Sequence, residues 1–282
     1  YPQSAFIEAR GSISNLSQSK PETGTIEIID IRSASAFKKG APSKKAGKAA
    51  VSYIRKAVEL AMNREVDAIV TAPVSKESLR MAGYPWPGHT ELLAELTDTK
   101  DFAMMFFSNE LKLILCTIHV PFKDVPEKIT EQLVFRTIML AKRGAAMFKI
   151  NDPRIAVAGL NPHAGEAGIF GNEEERFIIP AIEKARAEGV GVSGPYPPDV
   201  VFHKAYHGEF DIVVCMYHDQ GLIPFKMIAF DKGVNVTVGL PVIRTSPDHG
   251  TAFDIAWKNR ANPSSMAEAI KLASRLDLGV KG

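Results

Sequence analysis

Three apolar runs in this sequence each meet a histidine where a strand should stop. Lys112–Ile118 leads into His119, Arg154–Leu160 leads through Asn-Pro into His163, and Asp211–Tyr217 leads into His218. Continuous Val/Ile/Leu-rich runs suit strands covered on both faces of a parallel sheet. Ligands in open α/β sheets bind beyond the carboxyl ends of the strands. Three imidazoles delivered to that edge have the donor type to hold one divalent metal and leave a position open for substrate. One such histidine is better explained by a local hydrogen bond, but three in the same structural position favour ligation. Cys116 and Cys215 each stand three residues before a candidate histidine, so a Cys2His2 site is an alternative. Against it, residues three apart on a strand point to opposite faces, and the apolar flanks suit inert buried thiols.

Anion-binding candidates accompany the histidines. Lys226, Asn235 and Arg244 recur at nine-residue intervals after His218. Lysine and arginine partner phosphate or carboxylate, arginine bidentately. Any single lysine is better read as a solvated surface charge, but Phe225, Met227, Ile228 and Phe230 make a freely solvated Lys226 a poor fit. Arg244, between Leu-Pro-Val-Ile and Thr-Ser-Pro, reads as a strand-end loop position. Gly88-His89-Thr90-Glu91 reads as a helix start with Thr90 as N-cap, where His89 beside free amides would help hold an anion. Gly165, Gly168 and Gly171 precede a helix, but their spacing is not G-x-G-x-x-G, and Glu173, Glu174 and Glu175 would repel a pyrophosphate. His203, His207 and His249 lack strand-end placement and stay outside the metal set.

These side chains need a scaffold, and the pattern supplies one. After a Gly/Ser/Pro/Lys-rich start with one strand candidate at Thr25–Ile31 and a loop at Lys38–Lys45, a helical period runs over Ala46–Asn63. Strands are expected at Asp67–Thr71, Phe102–Phe107, Leu111–Ile118, Ile155–Leu160, Ile212–Tyr217 and Val234–Val238. Helices are expected near Glu91–Leu96 and over Thr130–Phe148, Glu173–Ala187 and Ser264–Leu276. Such alternation means an α/β fold with a mostly parallel sheet. At 282 residues, 45% of them hydrophobic, the chain can bury a large core in two lobes. The expected division is residues 1–88 plus 222–282 as one lobe and 89–221 as the other. A net charge of +2 with dispersed Lys and Arg gives no nucleic-acid footprint. No apolar stretch approaches the roughly 18–20 residues of a membrane span. With only two cysteines no disulfide framework is in view, so a reducing cytoplasm is expected.

Taken together, the stretches VTAPVSK (70–76), GHTELLAELT (88–97), TIHVP (117–121), GLNPHAGEAGIFGNEE (159–174), YHDQGLIPFK (217–226) and GVNVTVGLPVIRTSPDHGTAFDIA (233–256) resemble the 4-hydroxythreonine-4-phosphate dehydrogenase family of vitamin B6 synthesis. Several long motifs in order, from about Asp67 onward, make the resemblance specific. It implies metal ligation by His119, His163 and His218, with Asp219 beside the last as a further catalytic candidate. It implies substrate contacts from His89, Thr90, Lys226, Asn235 and Arg244. The fold implied is that of isocitrate and isopropylmalate dehydrogenases: two α/β/α lobes with the active site in the cleft. The HGTAFDIA stretch is similar to the adenosine-holding loop of those enzymes, which implies NAD or NADP contacts from Gly250, Thr251 and Asp254. Family members are homodimers that share metal ligands across the interface. They normally open with a strand and a loop close to GDPAGIGPE, so a βα unit is expected to be missing before Tyr1.

The implied reaction is oxidation of a phosphorylated hydroxy acid, 4-phosphohydroxy-L-threonine, to a 3-keto acid that then loses carbon dioxide to give 3-amino-2-oxopropyl phosphate. Lys226 counts among the catalytic candidates. Zinc is the first expectation for the metal, with Co, Ni, Fe, Mn or Mg as alternatives. Relatives that oxidise 4-phospho-D-threonate, 4-phospho-D-erythronate or aromatic cis-diol acids leave the substrate open. A zinc hydrolase using metal-bound hydroxide is the reading from another enzyme class.

Overall fold

The computed structural model describes residues 28–29, 31 and 39–278, so the strand expected at Thr25–Ile31 lies largely outside the described residues. Ser43 ends the first loop by accepting the Ala46 amide, and α1 (Lys44–Met62) follows. Its inward stripe, Val51, Ile54 and Val58, packs with α2 (Lys76–Met81) and α3 (His89–Leu96). Strand β1 (Ala68–Val70) precedes α2, and β2 (Ala103–Phe107) and β3 (Lys112–Leu115) follow α3. The short α4 (Val125–Lys128) leads to α5 (Glu131–Met147), capped by Thr130. Then come β4 (Ile155–Ala158), a π-helical turn over Glu174–Ile178, α6 (Ile179–Ala187), β5 (Val192–Tyr196), α7 (Pro198–Tyr206) and β6 (Ile212–Cys215). The chain closes with α8 (His218–Ala229), β7 (Val234–Val238), β8 (Ile243–Pro247) and α9 (Ser264–Ala273).

Among the described residues one eight-stranded sheet has the order β1-β8-β7-β2-β3-β6-β4-β5. It is parallel at both ends but antiparallel through β8-β7-β2-β3, a departure from the expected parallel run. For the β2–β3 and β7–β8 pairs the reason is connection length. Residues 108–111 and 239–242 are too short for the crossover of a dozen or more residues that a parallel neighbour needs.

The strand period of two splits the core cleanly. Ile155, Val157, Ile212, Val214 and Ile114 face α5 and α6. Ala156, Ala158, Val213, Cys215, Leu113 and Leu115 share the opposite core with residues of α7 and α8. Both faces are therefore covered, in an α/β/α arrangement. Each fully buried Leu, Ile or Val contributes roughly 1.5–3 kcal/mol relative to exposure. Among the described residues no helix is long and apolar enough to cross a membrane.

Candidate active site

Strands β3, β6 and β4 are adjacent and parallel, so their C-terminal ends share one edge. His119, His218 and His163 leave the sheet at that edge, as the apolar runs implied. His119 and His218 meet, with ring centroids 6.1 Å apart. His218 opens α8, and its Nδ1 lies 2.6 Å from Asp219 Oδ1, which leaves Nε2 for a ligand. Burial, then the charge of Lys76, holds His119 below the usual histidine range, so its ring offers a lone pair at neutral pH. His163 stands differently: it is exposed, in a left-handed backbone conformation, with its ring 5.9 Å from Phe170. Among the described residues no three His, Cys, Asp or Glu side chains converge within this one chain. The three-histidine set thus does not close on a metal inside a single subunit. The cysteines play no part: burial pushes the Cys116 thiol up to about 12 and the Cys215 thiol well above its ordinary value.

Beside His119 lies a cavity of about 320 Å³ whose walls include His89, Thr90, Lys76, Asn235 and Arg244. Four of the five expected substrate residues therefore share one cavity. Arg244 is not at a strand end; it sits within β8 with only 3% exposure. Its terminal nitrogens donate to Thr237 Oγ1 (3.0 Å) and Thr71 Oγ1 (2.8 Å), while Nε has no partner among the described residues. Burial lowers its pKa to about 10, with Glu91 opposing the shift. A buried guanidinium without an ion pair is costly to maintain, and an arriving anion relieves that cost. Asn235, whose Oδ1 is also buried and unpartnered among the described residues, adds an acceptor for a ligand donor.

The N-cap of α3 is Gly88 rather than Thr90. Thr90 is buried in the first turn, and the free amides of that turn add positive potential toward an anion. Lys226 lies in a neighbouring cavity of about 470 Å³ and pairs with Asp248 at 3.3 Å. Burial raises the Asp248 carboxyl, with Lys226 opposing. Gly250 lines both cavities, and Thr251 lines a third, of about 290 Å³, with Phe253 and Trp257. Asp254 is exposed in the turn between them. Neither Lys76 nor Asp248 stands out from the residue pattern alone. Lys76 had a signal in Ser75, which caps α2 just after a strand, the same strand-end placement as the histidines.

His89 makes a prediction of its own. Burial, then Arg244, pushes it down from 6.5 to about 3. The unfolded chain takes up this proton as pH falls below about 6.5, while the folded chain refuses it until about 3. Stability present above pH 6.5 is therefore lost progressively toward pH 3, at up to about 1.4 kcal/mol per pH unit for one proton. Melting temperatures at pH 7.5 and 4.5 should fall less for His89→Asn than for the wild type. Equal falls would refute this.

Residues 4–273 match the family model described as pyridoxal phosphate biosynthetic protein PdxA. The chain belongs to this family. It is 50% identical to the 4-hydroxythreonine-4-phosphate dehydrogenase of Desulforapulum autotrophicum over 254 residues, covering 89% of this chain and 75% of that one. It is 47% identical to the D-threonate 4-phosphate dehydrogenase of Salmonella typhimurium over 272 residues, covering 96% and 83%. Among solved structures, the 4-hydroxythreonine-4-phosphate dehydrogenase of Klebsiella pneumoniae superposes with a TM-score of 0.80 at 49% identity, covering 85% of this chain and 72% of that one. For this PdxA family member, the mixed α/β fold expected from the sequence is found.

Proposed function

We propose that this chain is a dehydrogenase of a small phosphorylated hydroxy acid, dependent on a divalent metal and on NAD or NADP. The proposed substrate is 4-phosphohydroxy-L-threonine, oxidised at its 3-hydroxyl and then decarboxylated to 3-amino-2-oxopropyl phosphate. The observation that carries the reading is the buried, unpaired Arg244 in a cavity that His119 also lines. A site built around an uncompensated cation selects an anionic substrate, and two imidazoles at its side suit a divalent ion.

His119 and His218 fit such an ion in donor type and in proximity, and Asp219 fixes the His218 ring. His163, from the same sheet edge, would complete the set across a homodimer. The outward face of α8 supports that assembly, because Ile223, Met227 and Phe230 are 60%, 83% and 75% exposed at helical spacing. A bound divalent ion supplies Lewis acidity toward a substrate hydroxyl, and the dinucleotide supplies the hydride acceptor. Arg244, Lys226, Thr90 and neutral His89 grip the phosphate and carboxylate and so fix the reacting carbon. Asn235 accepts a donor from the substrate. Gly250 and Thr251 border the adjoining cavities along which the dinucleotide would lie, with Asp254 at the surface beside it. Residues 1–88 plus 222–282 would form the nucleotide lobe and 89–221 the lobe carrying the metal histidines, in a cytoplasmic enzyme.

The match to a D-threonate 4-phosphate dehydrogenase favours a second reading, with 4-phospho-D-threonate or its erythronate counterpart as substrate and the same chemistry. Relatives named as dehydrogenases weigh against a zinc hydrolase. The test is NADH or NADPH formation with 4-phosphohydroxy-L-threonine and with 4-phospho-D-threonate, before and after chelation and zinc restoration. Chelator-sensitive turnover of the first supports the main reading, turnover of the second alone supports the alternative, and silence with both overturns both.

A further inference from the structure

The three strand-end histidine segments are laced together by buried polar side chains that substrate binding does not use. Thr117 Oγ1, two residues before His119, donates to Met216 O at 2.8 Å. The Met216 amide donates to Gln220 Oε1, and Gln220 Nε2 donates to Gly159 O, both at 2.7 Å. The next two amides, of Leu160 and Asn161, each donate to Glu174 Oε1 at 2.8 Å. A continuous path therefore joins the segment before His119, the turn holding His218 and the segment entering the His163 loop.

Burial makes these bonds consequential. Gln220 is 7% exposed and Glu174 only 1%, so losing a partner leaves a desolvated polar group unsatisfied. The loop they pin needs external support. His163, Ala164, Glu166 and Ala167 all have positive φ, which side-chain-bearing residues seldom adopt, and never in such a run without over-determination from outside. Gly159 shows how tightly the segment is held, because a Cβ there would stand 2.8 Å from Ala164 Cα and 3.1 Å from Glu174 Oε1. Gln220 is two residues from His218 on α8, yet its amide reaches β4's end. It is the side chain that links the two histidine segments directly.

We propose that Gln220 is a positioning residue that fixes the His163 loop relative to His218, with Glu174 as the second pin of that loop. This rests on the metal-site reading above, in which His163 serves the site of the paired subunit, so holding its loop at one place on the sheet edge presets how that ring is presented across the interface before metal arrives. Two variants separate the parts. Gln220→Glu keeps an acceptor for the Met216 amide but turns an oxygen toward Gly159 O. Gln220→Met removes both bonds at similar volume. Zinc affinity, measured by chelator competition, should weaken about 10–100-fold in both variants. Amide hydrogen exchange over residues 159–171 should speed up, while the NAD-induced rise in melting temperature stays as in the wild type. Activity should recover in excess zinc. Unchanged zinc affinity, or unchanged exchange over 159–171, overturns the proposal. Failure of the wild type to bind zinc overturns the metal reading instead, and the exchange result then decides by itself whether Gln220 holds the loop.

Discussion

Replacing Arg244 by Met should raise the KM for a phosphorylated substrate by roughly 30- to 5,000-fold, the equivalent of about 2–5 kcal/mol for removing one member of a buried charge pair. The same change should leave folding stability within about 2 kcal/mol of the wild type. These two effects diverge because of what Arg244 touches. Among the described residues its guanidinium has only two threonine hydroxyls as partners and an unpartnered Nε. Met removes an uncompensated buried charge, which favours folding, and forfeits two hydrogen bonds, which opposes it. In the complex the balance changes, because the anion that would satisfy the charge loses its partner. Arg244→Lys should fall between, since an ammonium keeps the charge but not the planar fork. Steady-state kinetics with denaturant unfolding on the same samples checks both halves. A KM within twofold of the wild type, in a variant that folds, would remove Arg244 from the substrate site.

Where the chemistry could be read from the residue order, a physical regularity stood behind it. Strands β3, β4 and β6 are covered on both faces, so they appear as unbroken apolar runs, and a polar residue after such a run marks the sheet edge. That is why His119, His163 and His218 were visible. Arg244 was misplaced for the converse reason. The β8 segment Ile-Arg-Thr-Ser-Pro is buried but polar, because Arg244 faces the cavity and its partners lie on the two flanking strands, Thr237 in β7 and Thr71 just past the end of β1. No local pattern announces a strand whose polar groups are satisfied by its sheet neighbours. Helix α8 escaped as well, since Gly221 and Pro224 read as breakers. Gly221 is there for packing: a Cβ would lie 3.0 Å from both Cys215 Sγ and Leu113 Cδ1. Helix α7 was hidden behind Pro197-Pro198, although proline at the first helical position costs nothing.

The His218→Ala variant should lose zinc binding by more than 100-fold and lose turnover with it, while remaining folded. The lower bound follows from outer-sphere substitutions, which already cost about 10–100-fold; removing a ligand itself must exceed that. Stability should change little, because the His218 side chain is 40% exposed and Ala is a better helix former at the start of α8. Asp219→Asn supplies the graded control. It keeps the imidazole but weakens the 2.6 Å contact that orients Nδ1, so zinc affinity should drop only into the 10–100-fold range. Nucleotide binding distinguishes the enzyme classes in the same preparation. On the proposed placement of the dinucleotide at the loop around Gly250 and Thr251, which does not call on the His218 ring, NAD should still raise the melting temperature of the alanine variant by linkage. A hydrolase would show no such rise in either protein. Near-normal turnover in metal-free His218→Ala would refute the metal-centred scheme altogether, and the imidazole pair with His119 would then have to be explained as packing at the sheet edge.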